Sequence, residues 1–325
     1  MAAAARERPG GGAADSLPDV MEAYVEPDVD FPRVQAGPNP QHLVLGLFTD
    51  YWFGTEEYLP SAALVELLTE FANTQASARA AIARLARRDL LQATKIGRRT
   101  FYRMTPAASR ALEQTQRRVV EFRAGDRVWD GSWTTVLFSV PDEQRDLRYV
   151  IRTRLRWLGY APLYDSVWVS PHADRDQTVE LLESLAVEHA TVLRAEVTYA
   201  AGPGDPLAAW DVGAIAARYE AFIAEHEPLL HRVEHGQVGT AEALVARTNV
   251  KDAWRELVSL DPELPEGLLP GPWPGRRARG LFAGVYDGLG PLAEARVRQV
   301  LARHDPALAG LTRHRTTTTA PPPGP

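Results

Sequence analysis

Two short helix patterns that run directly into two short strand patterns constrain the fold of this chain more than any other feature. In the first helix pattern, Leu64, Leu68 and Phe71 recur at spacings of four and three, which places them on one helix face. Thr74 then has the residue type and position of an N-cap for a helix over 75–88. Helices joined by so short a turn pack against each other, which is the outline of a helix-turn-helix.

The strand patterns that follow predict a β-hairpin. Residues 90–96 form the first strand pattern, 97–99 supply a tight turn that contains a glycine, and TFYRM (100–104) forms the returning strand. A hairpin directly after a helix-turn-helix is a wing. Its tip would hold basic side chains where they reach DNA phosphates or an adjacent minor groove: Lys95, Arg98 and Arg99.

The second helix of this motif has two different faces. Ala78, Ala81, Ile82 and Leu85 share a narrow apolar side, whereas the opposite side is small or polar. A recognition helix needs this division, because one face anchors in the core while small and hydrogen-bonding side chains approach base edges. The candidate DNA-binding residues of the helix and hairpin are Thr74, Gln75, Ser77, Arg79, Arg84, Arg87, Lys95, Arg98 and Arg99.

Positive charge is concentrated between Arg79 and Arg123. That segment contains twelve basic and three acidic residues, a net charge of +9, whereas the whole chain carries −6, so the rest carries −15. Such segregation favours a polyanionic partner for one part of an acidic protein, because phosphate contacts release condensed counterions. Two simpler alternatives are a solvated helical face and a winged helix that contacts only protein.

The composition excludes several kinds of site. The chain has no cysteine, which removes disulfides, thiolate zinc sites and cysteine nucleophiles. No run approaches about eighteen apolar residues, so no membrane span is predicted, and the first residues lack the apolar centre of a secretory signal. The cytoplasm is therefore the expected compartment. No glycine-rich phosphate loop, GxSxG elbow or paired acidic site is present, and we predict no enzyme activity, metal or cofactor.

The block over 129–200 has the element order βαββαβ. TTVLFSV (134–140) has the composition of a strand, and a helix pattern over 143–158 follows it. Two short strands, a second helix and a strand over 191–199 complete the order. This order indicates a ferredoxin-like sandwich, in which two helices cover one face of an antiparallel sheet.

The first helix of that block has a basic stripe opposite its apolar face. The arginines at 145, 148, 152 and 156 recur at spacings of three, four and four. The stripe is a solvated face, an extra contact to the DNA backbone, or a site for an anionic small molecule. For the last alternative the candidate effector-binding residues are Arg145, Arg148 and Arg152.

Asp142 follows the first strand of the same block. Small CRISPR-associated ferredoxin-like nucleases have a metal-binding Asp at this place, and the surrounding pattern resembles theirs. Metal-assisted hydrolysis needs several oxygen ligands that converge on Mg²⁺, and an Asp that starts a helix is more often a complement to the helix dipole. A nuclease centred on Asp142 is therefore the alternative function from the enzyme class.

The C-terminal block is predicted to be mostly helical. The helix patterns cover 206–231, 240–260 and 280–304, and a proline-rich turn precedes the last. The histidines at 226, 231 and 235 have no HExxH frame, so we assign them to the surface or to helix ends.

The predicted fold class is α+β. The terminal stretches are predicted to be disordered because they are rich in Ala, Gly, Pro or Thr and have no sustained period. The predicted division is a disordered N-terminal extension (1–40), a winged helix-turn-helix domain (41–123), a ferredoxin-like central domain (129–200), a helical C-terminal domain (205–312) and a disordered tail (313–325).

Seven segments that follow one another along the chain have motifs of a single known family. They are LVLGLFTDYW (43–52), LPSAALVELLTEF (59–71), ARAAIARLARRDLL (78–91), GRRTFYRMT (97–105), WDGSWTTVLFSVP (129–141), LRWLGYAPLYDSVWVSP (155–171) and LLPGPWPG (268–275). In these segments the chain resembles the PaaX family of bacterial transcriptional repressors. One departure is Asp89, where the family usually has Gly before the wing; Asp tolerates a left-handed backbone, so the turn is expected to survive.

The resemblance implies a repressor of an aromatic-compound catabolic operon of the phenylacetate type. It implies a winged-helix domain that binds double-stranded operator DNA as a homodimer, and an aryl-acyl-CoA effector, such as phenylacetyl-CoA, that releases the DNA. A CoA ligand needs arginine near its phosphates and an apolar slot for its acyl group. Besides the basic stripe, Arg276, Arg277 and Arg279 are candidates for that role. A sensor that regulates through protein contact alone remains a third hypothesis.

Overall fold

The computed structural model describes residues 39–124, 128–172, 174–201 and 204–318. Within these ranges the chain has a mixed α+β fold with two small antiparallel sheets. The helices are α1 Pro40–Tyr51, α2 Ser61–Thr69, α3 Gln75–Arg87, α4 Pro106–Glu121, α5 Arg145–Trp157, α6 Arg175–Ser184, α7 Val212–Glu234, α8 Thr240–Leu260, α9 Gly275–Gly288 and α10 Gly290–His304. The strands are β1 Leu59–Pro60, β2 Leu91–Ile96, β3 Arg99–Met104, β4 Trp133–Ser139, β5 Ala161–Tyr164, β6 Val167–Ser170 and β7 His189–Ala195.

The first predicted helix pair forms as α2 and α3. A short turn joins them, with Ala72 in the left-handed region at φ 58°. The Thr74 hydroxyl accepts a hydrogen bond from the Ser77 backbone N–H, which is the N-cap that the sequence predicts. Both helices pack against each other and α1 packs behind α3.

The predicted hairpin forms as β2 and β3, and β1 extends it to a sheet with the order β1-β3-β2. Leu91 pairs with Met104 at one end and Ile96 with Arg99 at the other, so the turn consists of two residues. Gly97 occupies the left-handed region at φ 62°. Asp89 lies at φ 55°, which confirms that Asp accommodates the left-handed position before the hairpin.

The central block forms a four-stranded antiparallel sheet with the order β5-β6-β4-β7. Helices α5 and α6 bury their apolar side chains against this sheet, and Val136, Ile151, Leu155 and Trp168 belong to the resulting core. The last strand ends at Ala195, earlier than the predicted 199. Before α5, the residues Asp142–Gln144 form a 3₁₀ turn.

The C-terminal block is helical, but the predicted single helix over 280–304 is wrong. Two helices, α9 and α10, meet at Leu289. Pro291 explains the break, because proline has no backbone N–H and its ring clashes with the carbonyl four residues earlier. The first predicted helix of the block also divides, into a 3₁₀ turn at Pro206–Ala209 and α7.

Helices from the two ends of the chain share one hydrophobic core. That core includes Tyr51 of α1, Trp254 of α8 and Phe282 of α9. The rings of Trp254 and Phe282 stack at 5.0 Å, and the Trp254 indole N–H donates to the backbone oxygen of Val119 in α4 at 3.0 Å. The α1–α4 block is therefore packed directly on the C-terminal helices, whereas the central sheet has a separate core.

The described part of the predicted C-terminal tail is packed against the helices rather than disordered. Arg315 is 1% exposed, and its guanidinium donates to both carboxylate oxygens of Glu113, at 2.9 and 2.6 Å. The Arg315 backbone N–H donates to the Asp50 backbone oxygen. The buried bidentate ion pair thus holds this segment in place, although its low-complexity composition predicts disorder. Residues 1–38 and 319–325, which complete the two predicted tails, lie outside the described residues.

Candidate DNA-binding surface

The helix α3 presents the two faces that its sequence predicts. Ala78, Ala81, Ile82 and Leu85 are buried. On the other side the side chains of Gln75, Arg79, Ala80, Ala83 and Arg87 are exposed, and Ser77 is half-buried. The small alanines between longer polar side chains leave a surface that a base edge can approach closely.

Gln75 and Arg79 lie one helical turn apart and are joined by a hydrogen bond. The Arg79 guanidinium donates to the Gln75 side-chain oxygen at 3.1 Å. This pair leaves the Gln75 amide N–H groups and the other guanidinium donors available. It places a donor-rich group on the exposed side of α3, at the residues proposed from sequence to meet bases.

Four further cations of this surface have no carboxylate partner. Arg84, Arg87, Lys95 and Arg98 are exposed, and none forms an ion pair within the described part of the chain. Arg232 of α7, by contrast, pairs with Glu242 at 2.7 Å. Unneutralised arginines on one surface repel one another, and a polyanion relieves that repulsion.

Arg99, predicted at the wing tip, lies beside the hairpin turn and also contacts the C-terminal helices. Its guanidinium donates to the backbone oxygen of His304, at the end of α10, and lies over the Phe101 ring at 5.3 Å. The same end of α10 contacts α2, because the imidazole of His304 and the guanidinium of Arg303 both bind the Glu66 carboxylate. Arg99 therefore fixes the hairpin to its support as well as adding charge.

Two further residues of the hairpin were missed by the sequence analysis. Ile96, next to the turn, is 63% exposed, an unusual position for a β-branched apolar side chain. Arg103 donates to Gln92 on the paired strand and lies over the Tyr58 ring at 4.7 Å. Ile96 was detectable as an apolar residue beside a basic turn, whereas the contacts of Arg103 depend on strand register.

The proposed effector residues on α5 lie together but are engaged locally. Arg148 donates to the backbone oxygen of Val140 at 2.6 Å and to Asp142 at 3.1 Å. Arg152 donates to the backbone oxygen of Asp165, and Arg145 is exposed. The role of these three residues as an effector site stays a prediction.

The alternative effector arginines on α9 serve different partners. Arg276 pairs with Glu266 and Arg277 with Glu227. Arg279 donates to the backbone oxygens of Val120 and Phe122, where it caps the C-terminal end of α4.

Asp142, the centre of the alternative nuclease hypothesis, is exposed rather than set in a site. Its side chain is 85% exposed and is paired with Arg148. Within the described residues no group of three His, Cys, Asp or Glu side chains is arranged to hold a metal ion. Of the three histidines in the C-terminal block, His226 is buried, contrary to the predicted surface position, because it stacks on Phe222 at 4.5 Å.

A second set of charged residues is buried between α1 and the C-terminal helices. Asp50 lies 2.5 Å from the Lys251 ammonium and 3.9 Å from the Arg247 guanidinium, and it accepts a hydrogen bond from the Tyr286 hydroxyl at 3.0 Å. Burial by itself would raise the pKa of Asp50, but the two cations outweigh it and hold that pKa below its ordinary value. Burial also raises the pKa of Tyr51, which contacts Arg247, to about 12.

Three family models match consecutive parts of the chain. A PaaX-like protein model matches residues 39–108, the PaaX protein central Cas2-like domain matches residues 126–207, and the PaaX-like protein C-terminal domain matches residues 210–299. Among the described residues, none of the helices combines the length and the apolar composition that a membrane span requires.

Two known proteins are similar to the chain along most of its length. The transcriptional repressor PaaX of Escherichia coli (strain K12) is 27% identical over 228 residues, which cover 68% of this chain and 71% of the relative. A solved structure of the uncharacterised protein Rv0674 from Mycobacterium tuberculosis has the same fold, with a TM-score of 0.56 and 19% identity over 79% of this chain and 98% of that one. With all three family models matched in order, the chain belongs to the PaaX family.

Proposed function

We propose that the protein is a DNA-binding transcriptional repressor and that α3 and the β2–β3 hairpin are its DNA contact. The observation that supports this most directly is the set of exposed cations on α3 and the hairpin tip that have no carboxylate partner among the described residues. Family membership and the repressor similar to this chain supply the regulatory class. The positive surface supplies the physical reason for DNA as the partner.

The finer fold assignments belong to the same proposal. We assign α2, α3 and the hairpin to a winged helix-turn-helix, with α3 as the recognition helix in the major groove. We assign the central block to a ferredoxin-like fold, because the chain order of its elements is βαββαβ and its second and third strands lie at one side of the sheet. We keep the predicted domain boundaries, 41–123, 129–200 and 205–312, although the first and last of these domains share a hydrophobic core.

Each candidate residue has a proposed role. Gln75, Ser77 and Arg79 meet bases or the nearest phosphates, because they lie on the exposed side at the start of α3, the end that enters the groove. Thr74 caps that end. The remaining cations hold the DNA backbone, Arg84 and Arg87 from α3 and Lys95, Arg98 and Arg99 from the hairpin.

The protein is proposed to act as a homodimer in the cytoplasm and to release DNA when an aryl-acyl-CoA binds. Two-fold symmetry then predicts inverted half-sites about one helical turn, or a multiple of it, apart. Release requires the ligand to bind the DNA-incompetent arrangement more tightly than the competent one, and tenfold weakening takes about 1.4 kcal/mol of coupling.

The proposal is tested by a footprint of the full chain on the promoter of its neighbouring genes, repeated with a panel of acyl-CoA esters. The expected result is one protected region with inverted repeats, at salt concentrations where random DNA is not protected. Absence of protection down to about 50 mM salt, where phosphate contacts are strongest, would contradict DNA binding.

The nuclease alternative is not favoured. Asp142 has a guanidinium partner, and no group of three His, Cys, Asp or Glu side chains among the described residues could hold a metal ion. Incubation of the protein with Mg²⁺ and labelled DNA decides the matter: cleavage that is lost in Asp142→Ala would replace the repressor proposal.

A further inference from the structure

One short stretch of the sequence carries negative charge alone. Residues 15–30 contain six carboxylates and no lysine, arginine or histidine, a net charge of −6. They therefore supply a large part of the negative charge that balances the basic stretch 79–123. We call residues 15–30, which precede the described part of the chain, the acidic segment. Its carboxylates belong to Asp15, Asp19, Glu22, Glu26, Asp28 and Asp30.

The candidate DNA-binding surface has the opposite charge and no means of neutralising itself. Neither α3 nor the hairpin strands and turn, residues 75–87 and 91–104, contain an acidic residue. Arg87 of α3 and Lys95 and Arg98 of the hairpin are exposed and form no ion pair with any residue that the structure describes. Carboxylates that neutralise these cations have to come from another part of the chain or from a partner.

Two other arginine-rich helices are already neutralised in part by their neighbours. Arg148 of α5 pairs with Asp142 at 3.1 Å. On α9, Arg276 pairs with Glu266 and Arg277 with Glu227. An added carboxylate would have to compete with these existing partners, so it gains less on α5 or α9 than on α3 and the hairpin.

The surface and the acidic segment also match in apolar character. Ile96, beside Lys95, is 63% exposed, and the alanines at 80 and 83 lie on the exposed side of α3. Contact with apolar side chains would remove these groups from water. In the acidic segment, apolar residues lie between the carboxylates: Leu17, Val20, Met21, Tyr24, Val25 and Val29.

The length of chain between the two allows them to meet. Nine residues separate residue 30 from Pro40, where α1 begins. An extended chain of that length spans about 30 Å, which is roughly the diameter of a small domain. Helix α1 packs directly against α3. A short tether of this kind gives an effective concentration on the order of millimolar, so even a weak contact is populated.

We propose that the acidic segment docks on α3 and the hairpin and competes with DNA for that surface. Its carboxylates pair with the exposed cations, and its apolar side chains cover Ile96 and the alanines of α3. DNA displaces the segment because duplex DNA presents a denser row of charge, about one per 1.7 Å of axis. The docking itself requires no DNA, whereas its consequence for operator affinity rests on the proposed function.

The first test neutralises the acidic segment in the full chain by changing its six residues to Asn or Gln. At about 50 mM salt the neutralised chain is expected to bind operator and random DNA about tenfold more tightly than the native chain, because the competitor is lost. At about 300 mM salt the gain should fall towards onefold, since salt screens the contact. Fluorescence anisotropy measures both affinities. Equal operator affinity of the native and neutralised chains at 50 mM salt would overturn the proposal.

A matched control separates docking from a change in total charge. It removes the same six charges from exposed positions of the central block and α7, where screening leaves little effect on a distant surface. A gain below about twofold is expected for this control, and a gain equal to that of the neutralised chain would overturn the proposal. The control changes to Gln the residues Glu180, Glu183, Glu188, Glu196, Glu225 and Glu234.

The second test measures the contact without DNA. A peptide of residues 15–30 is titrated into the neutralised full chain by calorimetry at about 50 mM salt. Saturable binding is expected, with a dissociation constant on the order of 0.1 mM. Arg87→Ala and Arg98→Ala should each weaken it several-fold, and Arg218→Ala, at an exposed arginine of α7, should not. Absence of saturable binding, or equal binding to all three variants, would overturn the proposal.

The third test locates the segment in the native sequence background. The chain has no cysteine, so an introduced pair is the only source of a disulfide. Under mild oxidation, Tyr24→Cys with Ile96→Cys is expected to cross-link faster than the same pair in the neutralised chain. Tyr24→Cys with Gln114→Cys, at an exposed position of α4, is the control and should not respond to neutralisation. An Ile96 cross-link whose rate is unchanged by neutralisation would overturn the proposal.

Failure of this inference is distinguishable from failure of the proposed function. If the neutralised chain binds no DNA at about 50 mM salt but captures the peptide through Arg87 and Arg98, the docking stands and the repressor proposal falls. If native and neutralised chains bind the operator equally and the peptide does not bind, the docking falls and the repressor proposal stands.

Discussion

Two sets of arginines differ in their environment. One set, on α3 and the hairpin, is exposed to solvent, and the other is buried behind α1. Arg84, Arg87 and Arg98 are exposed and have no carboxylate partner in the part of the chain that the structure describes, whereas Arg247 and Arg315 are almost fully buried among acceptors. Arg247 donates to the backbone oxygen of Tyr286 at 3.0 Å and lies over its ring. The exposed arginines carry charge that a binding partner can neutralise. The buried arginines form hydrogen bonds and ion pairs that join segments from the two ends of the chain.

Because the two sets differ in burial, substitutions in the buried set should affect stability and substitutions in the exposed set should affect binding. A buried charge whose partner is removed keeps its full desolvation cost, so the whole protein loses stability. An exposed charge without a protein partner contributes little to folding, so its removal affects only what it binds.

The largest effect is expected for Asp50→Ala. This substitution leaves Lys251 and Arg247 buried without their carboxylate, and the free energy of unfolding should fall by about 3 to 5 kcal/mol. Denaturant titration measures it, with Asp252→Ala, at a partly exposed pair, as the control. A loss below about 1 kcal/mol would mean that the buried cluster does not hold the two blocks together.

The same carboxylate should make stability depend on pH. The pKa of Asp50 is lower in the folded protein than its ordinary value of 3.8. Its stabilising contribution is therefore complete above that ordinary value and is lost as the pH falls through the folded pKa. Denaturant titrations at pH values from about 6 downward should show this slope, and Asp50→Asn should remove part of it; an unchanged slope in the variant would exclude Asp50 as its source.

In the exposed set the largest effect is expected for Arg79→Ala. Loss of its base contacts should weaken operator binding by about 1 to 3 kcal/mol and leave binding to random DNA much less affected. Anisotropy titrations on both DNAs measure the difference. The free energy of unfolding should not change, which separates this residue from the buried cluster.

The smallest effect is expected for Arg98→Ala. A lost phosphate contact should weaken operator and random DNA about equally and reduce the slope of log affinity against log salt by about 1. Arg218→Ala, at an exposed arginine of α7, is the control. Unequal losses on the two DNAs would assign Arg98 to base recognition instead.

Much of the candidate DNA-binding surface was predictable because its structure is local. The Thr74 cap, the buried alanine face of α3 and the hairpin turn all depend on residues a few positions apart. The proline break before α10 is equally local and was missed although Pro291 signals it. The tail was misjudged for another reason, since the partner of Arg315 is Glu113, two hundred residues away in sequence.

The sequence by itself determined the element order, the faces of α3 and the segregation of charge, because propensity, capping and periodicity act over a few residues. Only the tertiary structure decided which arginines are neutralised. A guanidinium becomes structural when folding brings a carboxylate or carbonyl from a distant segment to it and excludes water. The local sequence places Arg98 at an exposed turn, but nothing near Arg247 in the sequence names its partners, the Tyr51 hydroxyl and the Arg315 backbone oxygen.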